Sequence, residues 1–131
     1  MGMRYLLDTH ALLWAITDPD RLGAEVRRTI ADRSNPLVVS AVSAWEIATK
    51  QRAGKLPQAD VLVGAYSRHL DRLGVERLPV TEEHALLAGS LQWEHRDPFD
   101  RMLAAQAMLE SMPIVTGEAA FAELSGVATV W

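Results

Sequence analysis

The chain has 131 residues, 49% hydrophobic and 23% charged, with a formal net charge of −4 at pH 7. That is the size and composition of one globular domain, residues 1–131, with enough chain for a real core. The acidic balance excludes a broad basic surface for gripping nucleic acid, though not an approach to phosphates through bound cations. With no cysteine, disulfides and thiolate metal sites are excluded, and a reducing, cytoplasmic setting is expected.

No apolar run approaches the roughly 20 residues of a membrane span. The opening "MGMRYLL" is too short for a signal peptide and leads straight into Asp8. Met1-Gly2 also fails as a myristoylation signal, because Leu6 stands where Ser or Thr is needed.

In chain order, Tyr5-Leu6-Leu7 reads as a buried strand, and Leu22, Val26 and Ile30 recur at helical spacing. Leu37-Val38-Val39 reads as a second strand. It is followed by a helix from about Ala41 to Ala53 that Gly54 ends. A helix from about Asp60 to Leu73 sets Leu62, Tyr66, Leu70 and Leu73 on one side. Val75 to Val80 is a weaker strand, interrupted by Pro79, and Thr81 caps a helix through Leu91. A helix from Pro98 to about Met112 is stopped by Pro113. Then come a strand at Ile114-Val115, a short helix from Ala119 to Leu124, and a last strand from Val127 to Val130.

Strands alternating with helices predict an α/β fold, with a mainly parallel sheet covered by helices on both faces. Ligands of such sheets bind beyond the carboxyl ends of the strands. Acids that close strands or open the following helices are therefore the ones to weigh. Asp8 closes the first strand and Glu46 lies early in the helix after the second. Asp100 opens the helix at Pro98, and Glu118 follows Ile114-Val115.

Each acid has an ordinary reading as well. Asp8 can cap the next helix, as can Thr9. Glu46 can pair with Lys50, at a gain of only about 0.2–0.5 kcal/mol. Asp97 can be an N-cap before Pro98, with Asp100 favoured by the helix dipole. Glu118 can be a first-turn acid. Gathered at one sheet edge, however, four carboxylates repel one another and lose solvation, so a fold avoids the cluster unless a cation neutralises it. An all-oxygen set suits Mg²⁺, or Mn²⁺ in its place, rather than zinc. Hard cations of this kind activate water and stabilise charge on a phosphodiester. His10, His69, His84 and His95 form no paired zinc motif, and His95 is expected to be a solvated loop residue.

Five ordered blocks, "LLDTHALLWA", "VSAVSAWEIATKQRAGKL", "HRDPFDRMLAAQA", "IVTGEAAF" and "VATVW", resemble a PIN domain, specifically the VapC-type toxins of toxin–antitoxin pairs. The resemblance covers nearly the whole chain. It implies a PIN-like, Rossmann-like α/β sandwich and a metal-dependent endoribonuclease that hydrolyses RNA with a metal-activated water. Products with a 5′-phosphate and a 3′-hydroxyl are expected. By motif, Asp8, Glu46, Asp100 and Glu118 correspond to the catalytic acids, with Asp8, Asp100 and Glu46 as metal ligands. Glu118 stands where many members carry Asp, so it departs from the pattern. Thr9, Asp97 and Thr116 are implied as outer-shell groups.

Lys50, Arg52 and Arg101, with Lys55 and Arg96 near them, are candidates for RNA phosphate contact; a solvated helix end explains any one of them equally well. The family resemblance further implies a small cognate antitoxin and a homodimer or toxin–antitoxin hetero-oligomer. Trp14, Trp45 and Trp93 are candidates to line such an interface. A phospho-acceptor domain fits less well, because neither "LLDTH" nor "IVTGE" supplies its additional acid and its lysine. A haloacid-type phosphatase wants an acid where His10 stands. The remaining alternative is a non-catalytic PIN-like module that binds metal or RNA or serves regulation.

Overall fold

The computed structural model describes residues 3–57 and 59–131. The Met1-Gly2 pair weighed above as a modification signal lies outside them. Five strands form one sheet: β1 (Tyr5–Leu7), β2 (Leu37–Ser40), β3 (Glu76–Leu78), β4 (Ile114–Val115) and β5 (Thr129–Val130). Their order is β3-β2-β1-β4-β5, and every pairing is parallel. The helices are α1 (Thr9–Thr17), α2 (Ala24–Ala31), α3 (Ala41–Arg52), α4 (Ala59–Val63), α5 (Tyr66–Leu73), α6 (Glu82–Ser90) and α7 (Pro98–Leu109).

Side chains of a strand alternate between faces, and the core divides accordingly. Leu7, Val39 and Val115 pack with Leu12, Val26, Leu62 and Leu70 of the helices on one face. Leu6, Val38 and Ile114 pack with Leu103, Phe121 and Met112 on the other. Both faces are apolar, which is why these strands read as continuous hydrophobic runs. The central strand β1 has β2 on one side and β4 on the other. The chain thus reverses direction across the sheet next to β1, and a crevice opens beyond its carboxyl end.

Several boundaries differ from the sequence expectation. The helix expected over 60–73 is two helices, because the chain leaves helical geometry at Gly64-Ala65, with Ala65 at φ −145° and ψ 38°. The break lets Leu62 and Leu70 both reach the core. α7 ends at Leu109, short of Met112 and ahead of Pro113. Ser111 takes a left-handed φ of 54°, and the Met112 N–H returns to the Ala107 carbonyl at 2.9 Å, closing the helix by backbone geometry. The short helix after Glu118 is a 3₁₀ helix, Ala119–Glu123, and only Thr129–Val130 of the last apolar run pairs as a strand. Among the described residues no helix is long and apolar enough to cross a membrane.

Candidate active site

Beyond the carboxyl end of β1 lies a cleft of about 80 Å³ lined by Asp8, Thr9, His10, Glu46, Lys50, Asp97, Asp100 and Glu118. All four acids singled out in the sequence meet there. A larger hollow, about 550 Å³, lies at the opposite end of β2 beside Leu37, and its charged lining is Arg33 and Arg72. Size therefore does not locate the chemistry; the gathering of carboxylates does.

Asp8 reaches the cleft because β1 ends one residue before it. Its backbone is extended, and its Oδ1 accepts from the Ala11 N–H at 2.7 Å, so it caps α1. The side chain is buried. Burial raises its pKa from 3.8 to about 6; the Thr116 side chain and the Ala11 N–H pull it down, while the charges of Glu46 and Glu118 push it up. The capping role and the site role thus belong to one carboxylate. Thr9 is buried and its hydroxyl meets Ser43 at 3.1 Å, tying α1 to α3.

Glu46 lies one turn and a half into α3 and is buried. Lys50 Nζ pairs with its Oε2, one helical turn on, whereas Oε1 is buried without a hydrogen-bond partner among the described residues. Burial lowers the Lys50 pKa, but its hydrogen bond and charge interaction with Glu46, together with the charges of Asp97 and Asp100, outweigh this and raise it overall. Lys50 is the ammonium of the cleft and faces five carboxylates.

Asp97 caps α7, its Oδ1 accepting from the N–H groups of Phe99 at 2.9 Å and Asp100 at 3.1 Å. This fixes the first turn, with Pro98 at the position where no N–H is needed. Asp100 then faces the cleft. Its Oδ2 lies 2.7 Å from His95 Nε2. Burial raises the Asp100 pKa to about 6, the His95 hydrogen bond opposes this, and the neighbouring Asp97 and Glu46 charges add to it. Glu118 is exposed at the rim, where its N–H donates to the Thr116 hydroxyl at 2.9 Å. Behind it, a Cβ on Gly117 would fall 2.9 Å from the Trp131 ring, so the indole closes over that turn.

Two sequence expectations, for His95 and Arg101, need correction. His95 is not a free loop residue, since it bonds Asp100. Arg101 is not available for RNA: its guanidinium donates to the carbonyls of Ala88 at 2.9 Å, Leu91 at 2.8 Å, Trp93 at 2.8 Å and His95 at 3.0 Å. It is the pin that folds the segment 88–95 against α7 and carries His95 to Asp100. Arg52 is exposed at the end of α3 and does not line the cleft, unlike Lys50. His10 was passed over in the sequence and stands at the rim. Its position two residues after Asp8, in the first turn of α1, was the available signal. The three tryptophans part company: Trp14 and Trp93 are partly buried against the core, Trp45 is exposed.

Among the described residues no three His, Asp or Glu side chains already converge as a closed cation cage. Lys50 on Glu46 and His95 on Asp100 hold those carboxylates instead. The donor set nonetheless suits a hard divalent cation. It is all oxygen, it is half-desolvated, and Glu46 Oε1 is a buried acceptor with no donor among the described residues. Asp8, Glu46 and Asp100 are the groups that could hold such an ion, with Glu118 at the rim.

The PIN domain family model matches residues 5–127. Ribonuclease VapC16 of Mycobacterium tuberculosis is 37% identical over 60 residues, which are 46% of this chain and 43% of that relative, so the match spans less than half of the relative's length. Among solved structures, VapBC2 of Rickettsia felis bound to a promoter DNA fragment superposes with a TM-score of 0.70 at 17% identity, over 98% of both chains. The DNA-bound VapBC of Salmonella typhimurium gives 0.70 at 19% identity, over 98% of this chain and 97% of that one. FitAcB of Neisseria gonorrhoeae gives 0.64 at 20% identity, over 97% and 96%. At these identities the likeness is one of fold.

Proposed function

Because the chain belongs to the PIN domain family, we propose that it is a metal-dependent endoribonuclease, the toxin of a toxin–antitoxin pair. The observation that carries this reading is the cleft in which Asp8, Glu46, Asp100 and Glu118 meet beyond the carboxyl end of β1. A structural cluster of that kind would cost stability with nothing in return. The match to a ribonuclease, partial as it is, supports RNA as the substrate.

Asp8, Glu46 and Asp100 would hold Mg²⁺, or Mn²⁺ in its place, with Glu118 in contact directly or through water. When bound, the ion supplies Lewis acidity at the phosphate and a lowered pKa for a water. The chain's own groups do the rest. The α1 and α7 caps fix Asp8 and Asp100, through Ala11 N–H and through Asp97. Lys50 pairs with Oε2 of Glu46. His95 holds Oδ2 of Asp100 in one orientation, and Thr9 and Thr116 support the walls. Hydrolysis puts the oxygen of water on phosphorus and breaks the P–O3′ bond, leaving a 5′-phosphate and a 3′-hydroxyl.

The partner expected is a small cognate antitoxin, in a hetero-oligomer, as the VapBC names of the structural relatives suggest for those proteins. A cytoplasmic site of action fits a chain without cysteine that acts on RNA. A non-catalytic metal- or RNA-binding module is the second reading. It is favoured by the exposed Glu118 and by carboxylates that are already engaged by Lys50 and His95.

The test is incubation of total cellular RNA with the chain and Mg²⁺, with product ends identified by ligation. Cleavage with 5′-phosphate ends that Asp8→Asn and Asp100→Asn both abolish, in folded protein, supports the proposal. Full activity in both variants contradicts the site. Metal binding without cleavage of any RNA favours the second reading.

A further inference from the structure

Trp45 is unexplained by the cleft as described. It directly precedes Glu46 on α3 and is 59% exposed. Its ring meets Phe99 in a T-shaped contact, with centroids 4.7 Å apart and planes at 74°. Phe99 is buried and directly precedes Asp100 on α7. Two aromatic–acid pairs, Trp45-Glu46 and Phe99-Asp100, thus stand on the packed helices α3 and α7. The buried partner holds the indole in one orientation. An edge contact and this exposure leave indole surface open to solvent.

The charge balance says what would cover it. Five carboxylates line the cleft, Lys50 is paired with Glu46, and the Arg101 guanidinium is committed to four carbonyls. Direct phosphate contacts from the cleft lining itself therefore contribute little affinity, and the exposed cations Arg52, Lys55 and Arg96 stand outside that lining. Stacking of a base on an aromatic ring does not depend on charge and is available to every base that is not already paired and stacked. A protein helix would want an apolar stripe instead. The other exposed positions of α3 are Ala41, Ala48, Thr49 and Arg52, which are small or polar.

We propose that Trp45, outside the cleft lining but directly before Glu46 on α3, is a stacking platform for an unpaired nucleobase of the bound RNA. The proposal rests on the nuclease reading given above. The experiment measures binding of labelled oligo(U) and oligo(A), each alone and in a perfect duplex, in Mg²⁺. It uses full-length protein carrying Asp8→Asn so that bound RNA survives. Trp45→Leu should weaken single-strand binding about tenfold or more. Trp45→Tyr should recover most of it, and the salt dependence should be unchanged because no phosphate contact is lost. Duplex should bind more weakly than single strand. Unaltered single-strand binding by Trp45→Leu, or equal binding of duplex, overturns the platform while leaving the nuclease reading intact. If Trp45→Leu instead dissociates a homodimer and keeps its RNA affinity, the ring belongs to a protein interface and the proposal is wrong. If neither the Asp8→Asn parent nor the wild type in EDTA binds either single strand, the platform is overturned, while the cleavage test given above decides the nuclease reading separately.

Discussion

Lys50 Nζ pairs with Glu46 Oε2 across one turn of α3, while Glu46 Oε1 is buried with no partner among the described residues. A carboxylate in that state is half-compensated. Removing the only ion-pair partner of a buried charge typically costs about 3–5 kcal/mol, and the partial exposure of Lys50 argues for the low end. Lys50→Met should therefore destabilise the metal-free protein by about 3 kcal/mol. Millimolar Mn²⁺ should restore much of the loss, since the cation takes over the compensation. Urea melts with and without Mn²⁺ check this. An equal loss in both conditions would make the pair structural only.

Asp8 carries a cost that pH should reveal. Its pKa is near 3.8 unfolded and pushed up to about 6 in the fold, mainly by burial. Between those values the native state binds more protons than the unfolded state, so metal-free stability falls as pH rises from about 4 to 6 and stays low above it. Asp100 shifts the same way and contributes less, being less buried. Asn caps a helix as well as Asp does. Asp8→Asn should therefore melt above the wild type at pH 7 without metal, by an amount on the order of 1–3 kcal/mol, and much closer to it at pH 4. A melting point below the wild type at pH 7 would show that the carboxylate is there for stability.

Arg101 should tolerate no replacement. Its planar fork reaches the carbonyls of Ala88, Leu91, Trp93 and His95, a geometry that a single ammonium cannot reproduce. Arg101→Lys should lower stability by about 1–3 kcal/mol, the cost of leaving polar groups unpaired. It should also weaken divalent metal binding, because His95 and its bond to Asp100 depend on that segment. Calorimetric titration with Mn²⁺ on the folded variant reads the second effect. Wild-type metal affinity would confine Arg101 to a structural role.

The strands were legible because the sheet buries both faces: Tyr5–Leu7, Leu37–Ser40 and Ile114–Val115 are apolar runs with nothing to hide. The acids were legible because each follows such a run or opens the helix behind it. What escaped the sequence depends on contacts between distant segments or on backbone geometry. Arg101 looks like a surface cation until the carbonyls of 88–95 are seen around it. His95 looks solvated until that segment is folded back. The 60–73 helix keeps its apolar face across the break at Gly64-Ala65, so periodicity alone runs straight through it. His84 completes the cap of α6 with its own ring at the position where Glu or Gln is usual.

The central claim is that Asp8, Glu46 and Asp100 form one cation site. Thermal melting against Mg²⁺ and Mn²⁺, for the wild type and Asp100→Asn at pH 7, tests it most directly. A ligand that binds only the native state raises stability by about 2.7 kcal/mol at a hundred times its dissociation constant. The wild-type midpoint should climb with metal, and Asp100→Asn, folded and equally stable or more so without metal, should stay flat. A flat wild-type response through millimolar metal, or an equal climb in the variant, would contradict the site.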